Sequence, residues 1–447
     1  MKECSICHNR VREKALYCDY CGNLFENLVK INYNSDFNKL LIELSKLIKR
    51  DEEACYENNS QIENLIDLFW YYMFKYSVNL EKLLNKEELS FESISFFPRE
   101  ICYNLKKVNE TEIFRIFVMK FNEKLNNLIT SKNTSEYTFY FLTNIDKKNS
   151  KINEIAKLFH LEILSYDSIY KEIKFPNEYK YLNYSRSLLM IKCVIKGKDS
   201  NYLYKLVLEK VYSFFGLLTI MEFFNRRVIR YSNQVGTKYN LVNYKILTSE
   251  TYIEIEDNEK FDKSLQNNYL FQYYLFDKNK KIGKELFIND NYVNKFKEIS
   301  KNPDIYEKLT QYLSLYYKAS IDETLEGSFI KYWILTEKII KNMLGDMKSD
   351  KLMQYRKKVM KKYYKPYLVN RLDELRVKRN DYVHELKNDI NQSDCNLIRL
   401  VAENLIIDIF SEFDKVKKFN DYGLLLEFKN QKQKINDITK FVEQGYL

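Results

Sequence analysis

Backbone punctuation is what this chain lacks: 9 Gly and 4 Pro serve 447 residues. Hairpin turns and helix stops draw heavily on these two residues, because Gly reaches positive φ freely and Pro fixes φ and removes an N–H. A turn-rich β-sandwich, a collagen-like repeat and a Gly/Pro-rich linker system are therefore excluded, and helix is expected to dominate. With 45% apolar and 15% aromatic residues the chain can fill sizeable cores, and at about 150 residues per domain its length suggests two or three of them. The predicted fold is mainly α with an α+β middle region.

Residues 1–26 hold four of the eight Cys and read as a small separate module. From about Asp36 to Thr130 the pattern is helical. Leu40, Leu41, Leu44, Leu47 and Ile48 recur at three-to-four spacing, as do Ile113, Ile116, Phe117 and Phe121 after a candidate cap at Thr111. Between about Tyr137 and Asn289 the texture changes to short β-prone runs at Tyr137–Leu142, Leu188–Ile195, Tyr239–Leu247 and Tyr269–Phe276, interrupted by one long helix near 201–225. Residues 27–302 are thus expected to form a mixed α+β sensing or docking region. Helical periodicity returns at Pro303, with helices predicted near 304–319, 321–344, 350–364, 367–387 and 392–418, enough for a bundle over 303–418. The tail, 419–447, is assigned no role.

The apolar stretches at Phe214–Phe224 and Leu400–Phe410 are broken by Glu222, Glu403 and Asp408, so no membrane span is expected. The opening residues Met1-Lys2-Glu3-Cys4 carry no basic-then-apolar leader, and Cys55, Cys102, Cys193 and Cys395 are scattered singly, as reduced thiols are. The expected compartment is the cytoplasm.

Cys4-Ser5-Ile6-Cys7 and Cys18-Asp19-Tyr20-Cys21-Gly22 form two C-x2-C pairs. Two residues between thiolates let one tight turn aim both sulfurs at a single ion, and two such turns complete the tetrahedral S4 shell that zinc favours. Four cysteine ligands leave no open position, so one structural Zn per chain is expected, held by Cys4, Cys7, Cys18 and Cys21. The array resembles the short zinc-ribbon family. The intervening Arg10, Arg12 and Lys14 fit nucleic acid, a protein-docking face or plain solvent equally well.

Three His occur, and His384 closes the run Arg379-Asn380-Asp381-Tyr382-Val383-His384-Glu385. Upstream lies Phe329-Ile330-Lys331-Tyr332-Trp333-Ile334-Leu335-Thr336-Glu337. The Arg-Asn-x-x-x-His motif in a C-terminal helical bundle resembles the HEPN superfamily, and the preceding helix with Leu335-Thr336-Glu337 looks like that of ApeA-like HEPN ribonucleases. The resemblance covers about residues 303–418. It implies metal-independent RNA cleavage at a cleft between two bundles, hence a homodimer, with Arg379, Asn380, Asp381, His384 and Glu337 at the catalytic site and Glu337 pairing Arg379. It also implies a role in bacterial antiphage defence by abortive infection, with RNA as substrate, tRNA among the candidates, and a phage-derived trigger. The Gly that often follows the family's His is here Glu385, which brings a carboxylate beside the site.

The residue types suit that chemistry without the resemblance. When a 2′-hydroxyl attacks the adjacent phosphorus, the site needs a base, an acid and a cation on the phosphorane; His serves as base or acid and Arg binds phosphate through a planar fork. No cofactor is called for in catalysis. Asn380 and His384, four apart on a helix, share a face, whereas Arg379 stands about 140° round from His384. Asp381 can hold one imidazole nitrogen. Arg379 can equally be a surface ion-pair residue and His384 a satisfied histidine.

From Asp346 to Arg379 there are 12 Lys and Arg against four acids, so most of the net charge of +10 lies beside the motif. Arg356, Lys357, Lys358, Lys361, Lys362, Arg376 and Lys378 are the candidate RNA contacts, with Tyr355, Tyr363, Tyr364 and Tyr367 interleaved for base stacking. The alternatives are a non-catalytic RNA- or protein-binding regulator with a HEPN-like bundle, and a DNA-binding protein working through the ribbon. No P-loop, Ser or Cys triad or Rossmann glycine fingerprint is present.

Overall fold

The computed structural model describes residues 2–3, 10–11, 29–53, 59–105, 108–131, 134–146, 151–165, 188–230, 250–255, 258–266, 290–344, 366–385 and 389–422. Helices hold most of the described residues, so the fold is mainly α. The chain forms two compact units: residues 1–137 with 194–205 and 254–261, and residues 138–193 with 206–253 and 262–447.

In the first unit β1 (Lys2–Glu3) and β2 (Arg10–Val11) pair antiparallel, Lys2 opposite Val11 and Glu3 opposite Arg10. The short strand β3 (Lys30–Ile31) leads into α1 (Ser35–Glu53) and α2 (Asn59–Tyr76) and pairs with β4 (Ser77–Val78). Helices α3 (Leu80–Lys86), α4 (Phe97–Leu105) and α5 (Ile113–Ser131) follow. Asn34 starts α1 by accepting from the N–H groups of Asp36 (3.0 Å) and Phe37 (2.9 Å), which would otherwise lack partners. The predicted stripes face inward: Leu40, Leu41, Leu44 and Ile48 of α1 and Ile113, Phe117 and Phe121 of α5 are buried. Phe37, Phe69 and Phe117 meet edge to face with centroids 5.4 to 5.8 Å apart. Thr111 lies in the turn before α5, which Glu112 N closes by donating to Asn109 O (2.9 Å).

A five-stranded sheet has the order β6-β7-β5-β8-β9, from β5 (Ser135–Asp146), β6 (Glu162–Ser165), β7 (Leu188–Gly197), β8 (Glu250–Ile255) and β9 (Asn258–Gln266). β6 and β7 run antiparallel with Ile163 opposite Ile191. The runs predicted at 137–142 and 188–195 are therefore strands, and those at 239–247 and 269–276 fall outside the described residues. Helix α6 (Ile152–Lys157) precedes β6, and α7 (Ser200–Arg230) is the long helix predicted near 201–225.

The bundle comprises α8 (Asp290–Ser300), α9 (Pro303–Ser320), α10 (Leu325–Leu344), α11 (Pro366–Glu385) and α12 (Gln392–Glu412). α10 packs on α9 and α12, α8 on the same two, and α11 on α12. Thus α8, which periodicity left ahead of Pro303, belongs to the bundle: Val293, Phe296 and Ile299 are buried, and Phe296 stacks on Phe410. Asn302 caps α9 by accepting from Ile305 N (3.3 Å), with Pro303 where its missing N–H costs nothing. Gly216 of α7 lies against the Leu313 carbonyl, where a Cβ would overlap it. α12 stops at Glu412 and gives way to a 3-10 turn, Phe413–Lys415, short of the predicted 418. The helix predicted near 350–364 lies outside the described residues. Among those described, no helix is long and apolar enough to cross a membrane.

Candidate functional site

α11 begins with Pro366, which suits a first helical position, and carries the motif in its last turns. Leu372 and Leu375 are its buried apolar anchors. Beyond them Arg376, Lys378, Arg379, Asn380 and Asp381 are half-buried, and Val383, His384 and Glu385 are exposed. At about 100° per residue, Asn380 lies about 40° and Arg376 about 80° round the helix from His384 on one side, and Arg379 about 140° round. One face of α11 therefore presents Arg376, Asn380 and His384, and Arg379 flanks it near the Leu372 and Leu375 side.

Arg379 is joined to that face through Asn380: its Nη1 donates to Asn380 Oδ1 at 2.9 Å. Glu337 is half-buried on α10, beside the buried Thr336, whose hydroxyl donates to Tyr332 O (2.8 Å). Among the described residues no ion pair joins Glu337 to Arg379 and no hydrogen bond joins Asp381 to His384; Arg379 is instead held by Asn380. The Nε of Arg376 is buried with no hydrogen-bond partner.

Of the candidate RNA contacts, Arg376 and Lys378 lie among the described residues. Lys378 turns inward, its side chain 19% exposed, and donates to Asp394 Oδ2 (2.8 Å) and Asp389 O (3.0 Å). Arg356, Lys357, Lys358, Lys361 and Lys362 lie outside the described residues, as do Cys4, Cys7, Cys18 and Cys21. The β1–β2 hairpin nonetheless brackets residues 4–9, which contain the first C-x2-C pair.

Periodicity did not single out a buried polar cluster in the bundle. Tyr316 OH donates to Glu403 Oε1 (2.6 Å), and Arg399 Nε stands 3.5 Å from the same oxygen. Tyr332 is buried near both, its hydroxyl without a hydrogen-bond partner. Burial, then the Glu403 charge, pushes the Tyr316 phenol well above its usual range. Burial opposes the Arg399 charge, but Glu403 and the two phenols outweigh it and raise its pKa. The signal was available: Cys395, Arg399 and Glu403 recur every four residues on α12 and so share one face.

Cysteine chemistry has no footing among the described thiols. Burial pushes Cys102 up to about 12 and Cys395 up to about 11, and raises Cys193. A thiol held there is not a thiolate nucleophile near neutral pH. No protein-family model, curated protein or solved structure matches this chain.

Proposed function

We propose that this protein is a HEPN-type, metal-independent endoribonuclease that cleaves RNA by 2′-hydroxyl transesterification. The observation that carries the proposal is the arrangement on α11, where Arg376, Asn380 and His384 share a face and Arg379 is bonded to Asn380 at its flank. His384, exposed, is free to exchange protons with substrate and water; the arginines supply fixed positive charge for phosphate and for the phosphorane. One imidazole per chain cannot both take the 2′ proton and protonate the 5′ oxygen in a single step. Two bundles facing across a two-fold axis supply both, so the active form is proposed to be a homodimer.

Cys4, Cys7, Cys18 and Cys21 are proposed to hold a structural zinc ion. The four soft donors and the hairpin that brackets the first pair fit that metal, which when bound fixes the ribbon's fold. The cytoplasmic setting, the antiphage role and a phage-derived trigger acting through residues 27–302 belong to the same proposal, and their support is the motif resemblance and the order of segments.

The separation of Arg379 from His384 by about 140° of helix favours a second reading, a non-catalytic RNA- or protein-binding bundle. Induced expression of wild type, Arg379→Ala and His384→Ala separates the two. Wild type should arrest growth and fragment RNA with EDTA-insensitive activity in vitro, and His384→Ala should lose about 100-fold or more in turnover while remaining folded. Equal behaviour of all three, with and without phage challenge, leaves the binding reading.

A further inference from the structure

We infer that Lys378 is a positioning residue for the motif rather than a phosphate contact: its ammonium ties α11 to the first turn of α12 immediately before Arg379. The inference rests on the ribonuclease proposal. An ammonium has three N–H donors. Two donate to Asp394 Oδ2 (2.8 Å) and Asp389 O (3.0 Å), and the Asp389 carboxylate stands 3.6 Å away. Two of the three donors are thus committed to protein acceptors, and the charge is met by two carboxylates. Round the helix, Lys378 lies about 160° from Asn380 and about 120° from His384, away from the face proposed to meet substrate.

The carboxylate at the other end is committed as well. Asp394 is fully buried, and its Oδ2 also accepts from Asn391 N (3.1 Å). Asn391 Oδ1 in turn accepts from Ser393 N (2.9 Å) and Asp394 N (3.1 Å), completing a capping box that starts α12. One carboxylate thus caps α12 and anchors α11, so the start of one helix fixes the end of the other.

That tether acts where packing gives out. Leu372 and Leu375 are buried, but from Arg376 to Glu385 no side chain of α11 is, and Val377 and Val383 are exposed. With no fully buried side chain beyond Leu375, the last two turns lean on the Lys378 tether, and helix ends fray. A motif that brackets a phosphodiester needs its groups held closely, since about 1 Å of misplacement can cost about 100-fold in rate.

The test uses the full chain as wild type, Lys378→Gln, Lys378→Arg and Arg376→Gln, with cleavage of a defined RNA followed over a range of salt and amide hydrogen exchange measured on the same samples. Lys378→Gln should lower kcat by about 10- to 100-fold with KM and its salt dependence unchanged. It should speed exchange at residues 379–385 and leave α9 and α10 as they were, and Lys378→Arg should restore most of the rate. Arg376→Gln, by contrast, should raise KM and shallow the salt slope by about one, the mark of a phosphate contact. If Lys378→Gln behaves like Arg376→Gln, or if exchange rises throughout the bundle while kcat per folded molecule holds, the positioning role is overturned. A wild type that cleaves no RNA overturns the ribonuclease proposal and this role with it, and is recognised before any variant is compared.

Discussion

Beneath α1, α2 and α5, Phe37, Phe69, Phe117 and Phe121 meet ring to ring, and among the described residues from 29 to 131 the buried polar groups are neutral: Ser45, Ser90 and Asn122. Between α9, α10 and α12 a carboxylate and two phenols are buried together beside a largely buried guanidinium, and a second buried carboxylate caps α12. The first arrangement gains from removing apolar area from water and sets few directional demands. The second carries a desolvation cost that is met only when every partner stands in one geometry. Directional cores are useful where side chains must be placed for chemistry, and the motif helix α11 packs on the helix that holds Asp394 and Glu403.

The largest expected effect comes from emptying the apolar core. Phe117→Ala removes a ring that touches Phe37, Phe69 and Phe121, at a cost of about 3–5 kcal/mol. Amide exchange should speed in α1, α2, α4 and α5 while α9, α10 and α12 keep their protection. Equal loss of protection in the bundle would break the comparison, because one cooperative core would then serve both regions.

A smaller effect is expected from Glu403→Gln. The amide oxygen still accepts from Tyr316, but the charge facing Arg399 is gone, and bonds to charged groups are worth about 1.5–3 kcal/mol. Glu403→Leu combined with Arg399→Met should recover much of that loss, since apolar replacement of a whole buried pair is often neutral or stabilising. Chemical denaturation of the two variants decides the matter. If the double variant is the less stable, the cluster contributes net stability, and the contrast with the phenylalanine core weakens.

Much of the fold could be read from periodicity. Leu40, Leu41, Leu44 and Ile48 face inward as their spacing requires, and the helices near 201, 304, 321, 367 and 392 stand where their stripes and breakers put them. Strand β9 was not legible, because Lys263 breaks the two-residue step from Phe261 to Leu265, whereas β8 carried a usable signal, Ile253 and Ile255 alternating with Glu254, that was passed over. Membership of α8 in the bundle was hidden too, since Phe296 finds its neighbour in Phe410, more than a hundred residues on. At the site, the four-residue step from Asn380 to His384 was enough to place both on one face. The inward turn of Lys378 was not, because in a lysine-rich stretch each ammonium looks alike until a buried partner such as Asp394, 16 residues away, selects one.

Asp322 lies between the two extremes, a carboxylate only partly withdrawn from water, and it offers the smallest and cleanest test. It precedes α10, accepts from Thr324 N (3.0 Å) and Thr324 Oγ1 (2.9 Å), and forms an ion pair with Lys331. A Cβ at position 327 would overlap its carboxylate, which is why Gly327 stands there. Burial pushes the carboxyl up, but the bonds from Lys331 and Thr324 together outweigh it and hold it below its ordinary 3.8. A carboxyl with a depressed folded pKa binds protons more readily when unfolded, so its stabilisation is complete above about pH 4 and is lost as the pH falls through the lower, folded value. Asp322→Asn should cost no more than about 1 kcal/mol at neutral pH, as for a partly exposed ion pair. It should also flatten the decline in bundle stability between about pH 5 and about pH 3, followed by denaturant midpoint at each pH. An unchanged slope would mean that the bonds from Lys331 and Thr324 to Asp322 do not set the acid response of the bundle, and would leave the contrast between the two cores to rest on the buried groups alone.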